Sequence, residues 1–310
     1  MTTEMIDSEI QPPVGPDTTA ERIPTKQLSK WTLYTRRFMR NKPAVFGIVV
    51  FVVLALASII VPLFTRWEVN EMDFLNLSTG PSSEHFFGTN ASGNDTFTQT
   101  FVGLQRSLMI ALVVSVGVTV ISAIVGTAAA YFGGTVERVT LIIIHFFMVV
   151  PTFLILALVS NDAGGDWRVI SLALIFTGWF FPARVIWTMA LSLREREYVH
   201  AARYMGVPGM RVVLRHLLPN VGSLLVINFT LGVVAAVMTE TGLSFIGFGV
   251  KIPDVSLGSL IGEGAASVTS APWLFYFPAL ALTLLTVSMA LVADGLRDAL
   301  DPTSAAGGRA

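Results

Sequence analysis

The chain has 310 residues, of which 53% are hydrophobic and only 13% charged, against about 25% charged in an ordinary soluble domain. Lys and Arg number 20 and Asp and Glu 21, for a formal net charge of −1. These values exclude a water-soluble globule, a disordered chain and a broad basic field for nucleic acid, and the absence of Cys excludes disulfides, thiolate metal sites and cysteine nucleophiles.

Residues 1–24 are polar and proline-bearing and read as a disordered tail, not a signal peptide, because no apolar stretch closely follows Met1. Basic residues then gather at Lys26, Lys30, Arg36, Arg37, Arg40 and Lys42, immediately before an uncharged apolar run over 44–64. A helix rises about 1.5 Å per residue, so about 20 apolar residues cross a hydrocarbon core. Further runs at 107–132, 139–160, 169–193, 220–239 and 272–293 bring the expected spans to six, interrupted by only two ionisable groups, His145 and Arg184. Backbone groups in lipid must bond internally, and no apolar–polar alternation suggests a barrel. The fold class expected is therefore an all-α membrane protein with six transmembrane helices. Gly117, Gly126 and Gly178 are expected to permit close helix crossings, and Pro151, Pro182 and Pro278 to kink their spans.

Orientation follows from Lys and Arg. With both termini cytoplasmic, the inside holds Arg22, the six basic residues before the first span, Arg138, Arg194, Arg196, Arg203, Arg211, Arg215, Arg297 and Arg309. The outside holds only Arg66, Arg106, Arg168 and Lys251. The chain divides into a cytoplasmic tail (1–43), a first span (44–64), an extracytoplasmic segment (65–106), a five-helix core (107–293) containing a cytoplasmic loop at 194–219, and a cytoplasmic end (294–310). A second long outer segment, 241–271, is rich in Gly.

The loop at 194–219 opens with helix-forming residues from Glu195 to Met205. Gly206 stands where a helix ends in the left-handed conformation, and Pro208 blocks continuation. Ala201 and Ala202 give this short helix a low surface that another protein could approach, with Tyr198, Tyr204 and Met205 as larger anchors. An interfacial helix resting on lipid headgroups is the alternative.

The pattern Ala201-Ala202-x-x-x-Gly206, then nine residues, then His216-x-Leu218-Pro219 resembles the EAA loop of ABC-importer permeases. His200 stands where that pattern usually has Glu. The resemblance implies type I ABC-importer permease architecture. It also implies an ATPase-coupling role for Glu197, Tyr198, His200, Ala201, Ala202, Tyr204, Gly206, His216, Leu218 and Pro219. The stretches 85–108 (with Gly88, Thr89, Gly93, Asp95, Gly103, Ser107 and Leu108), 240–261 and 294–302 are similar to the C-type permeases for dipeptides, oligopeptides and nickel. The implied partners are a second permease subunit, two ATPase subunits or one fused ATPase, and an extracytoplasmic substrate-binding protein, in the cytoplasmic (inner) membrane of a prokaryote. The chain binds no cofactor in this reading, ATP and Mg being held by the ATPases.

The residues agree with an external energy source. A proton- or sodium-driven carrier usually keeps carboxylates inside its spans, and Glu137, Glu240 and Asp294 are expected only at span ends. No phosphate-cradling Gly-x-x-x-x-Gly-Lys-Ser/Thr loop is present, so the chain is not itself an ATPase. Arg184 stands about 13 Å up its helix from the cytoplasmic end and reads as a snorkelling side chain, a buried brace for the loop or, less readily, a substrate ligand. His145 reads as a packing residue or a functional group; with no second His at helical spacing it is not a metal site. The leading function is a peptide importer's permease. A nickel or other small-solute permease, an ATP-independent carrier or channel, and a scaffold without transport are the alternatives.

Overall fold

The computed structural model describes residues 30–300; the tail 1–24, Lys26, and the final stretch with Pro302 and Arg309 lie outside the described residues. The described chain contains thirteen α-helical segments, one π-helical turn and no β-strand.

Helix α1 (Lys30–Arg40) carries basic residues to the start of α2 (Lys42–Phe64). Asn41 caps α2: its side-chain oxygen accepts the Ala44 amide at 3.1 Å, and Pro43 occupies the first turn, where no amide is needed. The next helix, α3 (Thr96–Phe132), begins well before the apolar run that announces it. Asp95 accepts the Thr98 amide and hydroxyl, each at 2.8 Å, and so starts the helix among polar residues. Its 37 residues reach about 55 Å.

Helices α4 (Gly134–Val149) and α5 (Thr152–Asp162) meet at a 77° bend. Pro151 removes an amide donor there, and Val150 before it is extended, as a residue preceding Pro is driven to be. Next come α6 (Trp167–Gly178) and α7 (Phe180–Arg194), separated by Trp179, then α8 (Glu197–Tyr204), α9 (Gly209–Val212), a π turn (Val213–Leu217) and α10 (Leu218–Asn220). The fold closes with α11 (Gly222–Phe245), α12 (Leu257–Ala266) and α13 (Trp273–Leu300). Pro278 lies inside the continuous α13, so the kink expected there is not a break.

Two sets of loops mark opposite ends of the bundle. At one end Arg106 pairs with Asp254 and lies 4.7 Å from the Trp167 ring centre, while Lys251 donates its amide to the Gly165 carbonyl at 3.3 Å. At the other, Arg194 reaches the end of α3 and Asn41 donates to Asp298 at 3.0 Å. The α4–α5 pair starts beside Arg194 and finishes beside Lys251. It therefore runs from one end to the other as a broken span and, with the five long apolar helices, brings the candidate spans among the described residues to six. Of the four cations assigned to the outside, Arg106, Arg168 and Lys251 belong to the first end, and Arg66 lies four residues before Asn70, whose side chain donates to the Pro253 carbonyl there.

Helix α3 is the axis, packing against α2, α6, α7, α11 and α12. Gly126 permits its crossing with α7: a Cβ there would lie 2.6 Å from the Ala183 carbonyl oxygen. Gly117 and Gly178 likewise bring α3 against α6. One core gathers Leu104, Ile110, Val114, Val233, Leu243 and Leu285. Outward-facing Phe46, Val53, Leu56 and Leu63 on α2 remain exposed, as a lipid-facing stripe requires.

Glu240 corrects an expectation. Because α11 continues to Phe245, this carboxylate does not end the span but lies inside its helix, fully buried. Its Oε1 accepts hydroxyls from Ser244 and Ser256, both at 2.7 Å. Ser256 is also the N-cap of α12, where it and Ser259 form a reciprocal capping box. Glu240 thus fastens α12 to α11.

Candidate functional site

Helix α8 ends as its sequence requires. Gly206 has φ +74°, a conformation costly for residues with a Cβ. The Val207 amide bonds the Ala202 carbonyl at 3.1 Å and the Gly206 amide bonds Arg203 at 3.1 Å, the paired bonds of a Schellman stop. Space around Gly206 is open, so backbone conformation alone selects glycine.

The helix has two unlike faces. Val199 and Ala202 are each only 2% exposed and pack with Ala130, Ala190, Val212 and Leu217. Ala202 is therefore corrected from a docking residue to an inward-facing one. Its separation of three residues from Val199 puts both on the same side of the helix. The other face presents Glu197, Tyr198, Ala201, Tyr204 and Met205, with Tyr204 88% exposed and Ala201 low between the two tyrosines. Arg203, Arg211 and Arg215 are also exposed.

The loop is tied to the bundle by polar bonds as well as packing. Arg194 donates to the Ala130 carbonyl at 2.9 Å and to Glu195 at 2.9 Å. This hydrogen bond from Arg194 is the largest influence holding the Glu195 carboxyl below its ordinary pKa. His200, the residue in the usual Glu position, lies 3.6 Å from the Glu195 carboxylate and is half-exposed. Above the loop, the Trp187 indole donates to Glu137 at 3.0 Å, joining α7 to α4.

On the returning part of the loop, the His216 ring centre lies 6.4 Å from that of Tyr198 on α8. The His216 carbonyl accepts from the Asn220 side chain at 2.6 Å, while Pro219 is exposed. Leu217, not the motif residue Leu218, is the fully buried leucine of this turn. The structure thus brings together Tyr198, His200, Ala201, Ala202, Gly206 and His216, and uses Leu218 and Pro219 as the entry to α11.

Arg184 and His145 are not part of this assembly. Arg184 is exposed on α7, which excludes its reading as a buried brace within the chain; Arg194 has that position instead. His145 is also exposed and makes no hydrogen bond among the described residues. The packing assigned to it belongs to its neighbour Ile144, buried against Phe180 and Ala183. No group of three or more His, Cys, Asp or Glu suited to a metal ion occurs among the described residues. The residues missed from sequence are Val199, Val212 and Leu217. They lie on three separate elements, α8, α9 and the π turn, so no single helical period joins them, and only packing with Ala130 of α3 and Ala190 of α7 brings them together.

Comparison with known proteins agrees with this geometry. Residues 119–305 match the family described as binding-protein-dependent transport system inner membrane component, and residues 29–81 match the N-terminal TM domain of oligopeptide transport permease C. The oligopeptide transport system permease protein OppC of Mycobacterium tuberculosis is 43% identical over 282 residues, covering 90% of this chain and 97% of that protein. The protein of the same name from Bacillus subtilis is 34% identical over 283 residues, covering 91% and 93%. A putative peptide permease of Brucella suis is 35% identical over 270 residues, covering 86% and 89%. With five or more helices long and apolar enough to span a membrane and these matches, the chain belongs to the family of binding-protein-dependent transport system inner membrane components, multi-pass subunits of ABC importers.

Proposed function

We propose that this chain is the permease subunit of an ATP-driven oligopeptide importer. Support for the solute class comes from similarity across nearly the whole length to permeases named for oligopeptides. The chain supplies the path and no fuel chemistry. ATP and Mg belong to two ATPase subunits or one fused ATPase, solute is delivered by an extracytoplasmic binding protein, and a second permease completes the path.

The observation that carries the coupling assignment is the two-faced α8. Its outer face, Glu197, Tyr198, Ala201 and Tyr204, is free to meet an ATPase, while its inner face, Val199 and Ala202, is packed into the bundle. A segment held in this way transmits displacement to the ends of α3 and α7. ATP-driven closure of the ATPases moves α8, and the helices above it rock against the second permease. The contact shifts the equilibrium only if it binds one ATPase conformation more tightly than the other. In this reading the α8 end, with the excess of Lys and Arg, faces the cytoplasm. Arg184 then snorkels to the membrane surface.

Reconstitution of the complete transporter in proteoliposomes tests the proposal. Labelled oligopeptide is expected to enter only with ATP on the ATPase side and binding protein on the other. ATP-independent uptake by this chain alone would contradict it, and nickel uptake in place of peptide would reassign the solute.

A further inference from the structure

Midway along the bundle lies a groove of about 380 Å³ between α3, α5, α6, α7 and α11. Both interruptions of the helical framework border it: Thr152 follows the α4–α5 bend, and Gly178 and Pro182 flank the α6–α7 break. Irregular backbone at membrane depth is tolerated where it lines a cavity. Most hydroxyls of the groove are already committed to their own helices or a neighbour. Thr177 and Thr239 each donate to a carbonyl one turn back at 2.8 Å, and Ser115 donates to the Phe229 carbonyl.

Asn228 differs. It lines the groove, yet its amide nitrogen is shielded and has no hydrogen-bond partner among the described residues. An unmet donor is not stabilised where it sits, and the terminal torsion of Asn is soft enough to turn it toward the groove. A carboxamide offers a donor and an acceptor side by side. In an extended peptide the N–H and C=O of one residue point to the same side, which is how antiparallel strands exchange paired bonds. The two groups are complementary whatever side chains the peptide carries.

We propose that this groove is a peptide-backbone subsite in which the Asn228 carboxamide pairs with the N–H and C=O of one residue of the passing solute. The inference rests on the oligopeptide reading above and adds the residue that holds the solute in the path. The apolar remainder, Val118, Leu156 and Phe181 among it, accommodates side chains without selecting them.

The test uses the complete transporter in proteoliposomes with trialanine and its analogue bearing an ester oxygen in place of one backbone N–H. The binding protein's affinity for each probe is measured separately and divided out. The wild type is expected to favour the amide by about tenfold, the discrimination given by one hydrogen bond. Asn228→Leu is expected to lose the preference and Asn228→Gln to recover part of it. A structural defect would slow both probes alike, and an unchanged preference in Asn228→Leu would overturn the proposal. If Asn228→Leu does not assemble, Asn228→Cys gives a second measurement, because the chain has no cysteine of its own. Thiol labelling of this chain, read by mass, is expected to slow during turnover with trialanine but not with free alanine. Equal labelling in both, or cross-linking of the new thiol to the second permease in place of protection, would overturn the assignment. A wild-type transporter that moves no oligoalanine of any length contradicts the oligopeptide reading itself, an outcome distinct from loss of the subsite.

Discussion

The Arg194 guanidinium donates to the Ala130 carbonyl at 2.9 Å across 64 residues of sequence. It closes the last turn of α7 onto the last turns of α3, directly above α8. The same side chain holds Glu195, which in turn faces His200. Arg194 therefore joins the candidate coupling helix to the axis of the bundle.

Arg194→Ala removes this link and leaves the Ala130 carbonyl without its partner, at a cost of about 1 kcal/mol. ATP hydrolysis by the partner subunits is expected to persist while uptake per ATP falls several-fold. Arg194→Lys is expected to restore only part of the ratio, because a point-like ammonium does not span both acceptors as a guanidinium does. Parallel measurement of phosphate release and uptake reads the result.

Gly206 separates backbone from side-chain effects, since no atom crowds the position of its missing Cβ. Gly206→Val is expected to cost about 1–2 kcal/mol through its left-handed conformation and to lower uptake. Gly206→Asn, a residue that tolerates this region, is expected to stay near wild type. Equal transport by all three proteins would remove the stop of α8 from the coupling account.

Glu240→Ala deprives two buried serine hydroxyls of their acceptor and loosens the cap of α12. The expected loss is about 2–3 kcal/mol, seen as a lower midpoint of thermal unfolding in detergent. Glu240→Gln keeps an acceptor oxygen and is expected to fall between the two.

The segment between α2 and α3 should respond to acid. Hydrogen bonds from the Asn76 side chain and the Leu75 amide, together with His85, hold the Asp73 carboxyl below its ordinary value of 3.8. A lowered carboxyl pKa favours the folded arrangement above the unfolded value and ceases to do so as pH falls through the folded one. Hydrogen exchange in residues 73–95, corrected for intrinsic rates, is therefore expected to rise as pH drops below 3.8. Asp73→Asn is expected to flatten that rise.

Much of this architecture is legible in the residues, because the strongest constraints are local. Lipid demands long uncharged helices, Gly206 with Pro208 stops α8, and Pro151 marks the bend between α4 and α5. Facing and long-range fastening are not local. Ala201 and Ala202 are identical in type, and only packing against Ala130 and Leu217 turns one outward and the other inward. Glu240 directly follows the uncharged run 220–239, so the residues alone set it at a span end. Burial became tolerable only when Ser256, sixteen residues further along, supplied a hydroxyl. Arg194 and Arg184 are likewise alike in composition, and it is the end of α3 beside Arg194 that gives one of them a partner.

The central claim is tested most directly by a short cross-linker at Ala201→Cys in the assembled transporter, a thiol unique within this chain. Capture of an ATPase subunit, with a yield that changes between nucleotide-free and ATP-bound states, is the expected result. Failure to capture that subunit in any nucleotide state, with the complex shown to be intact, would contradict the account.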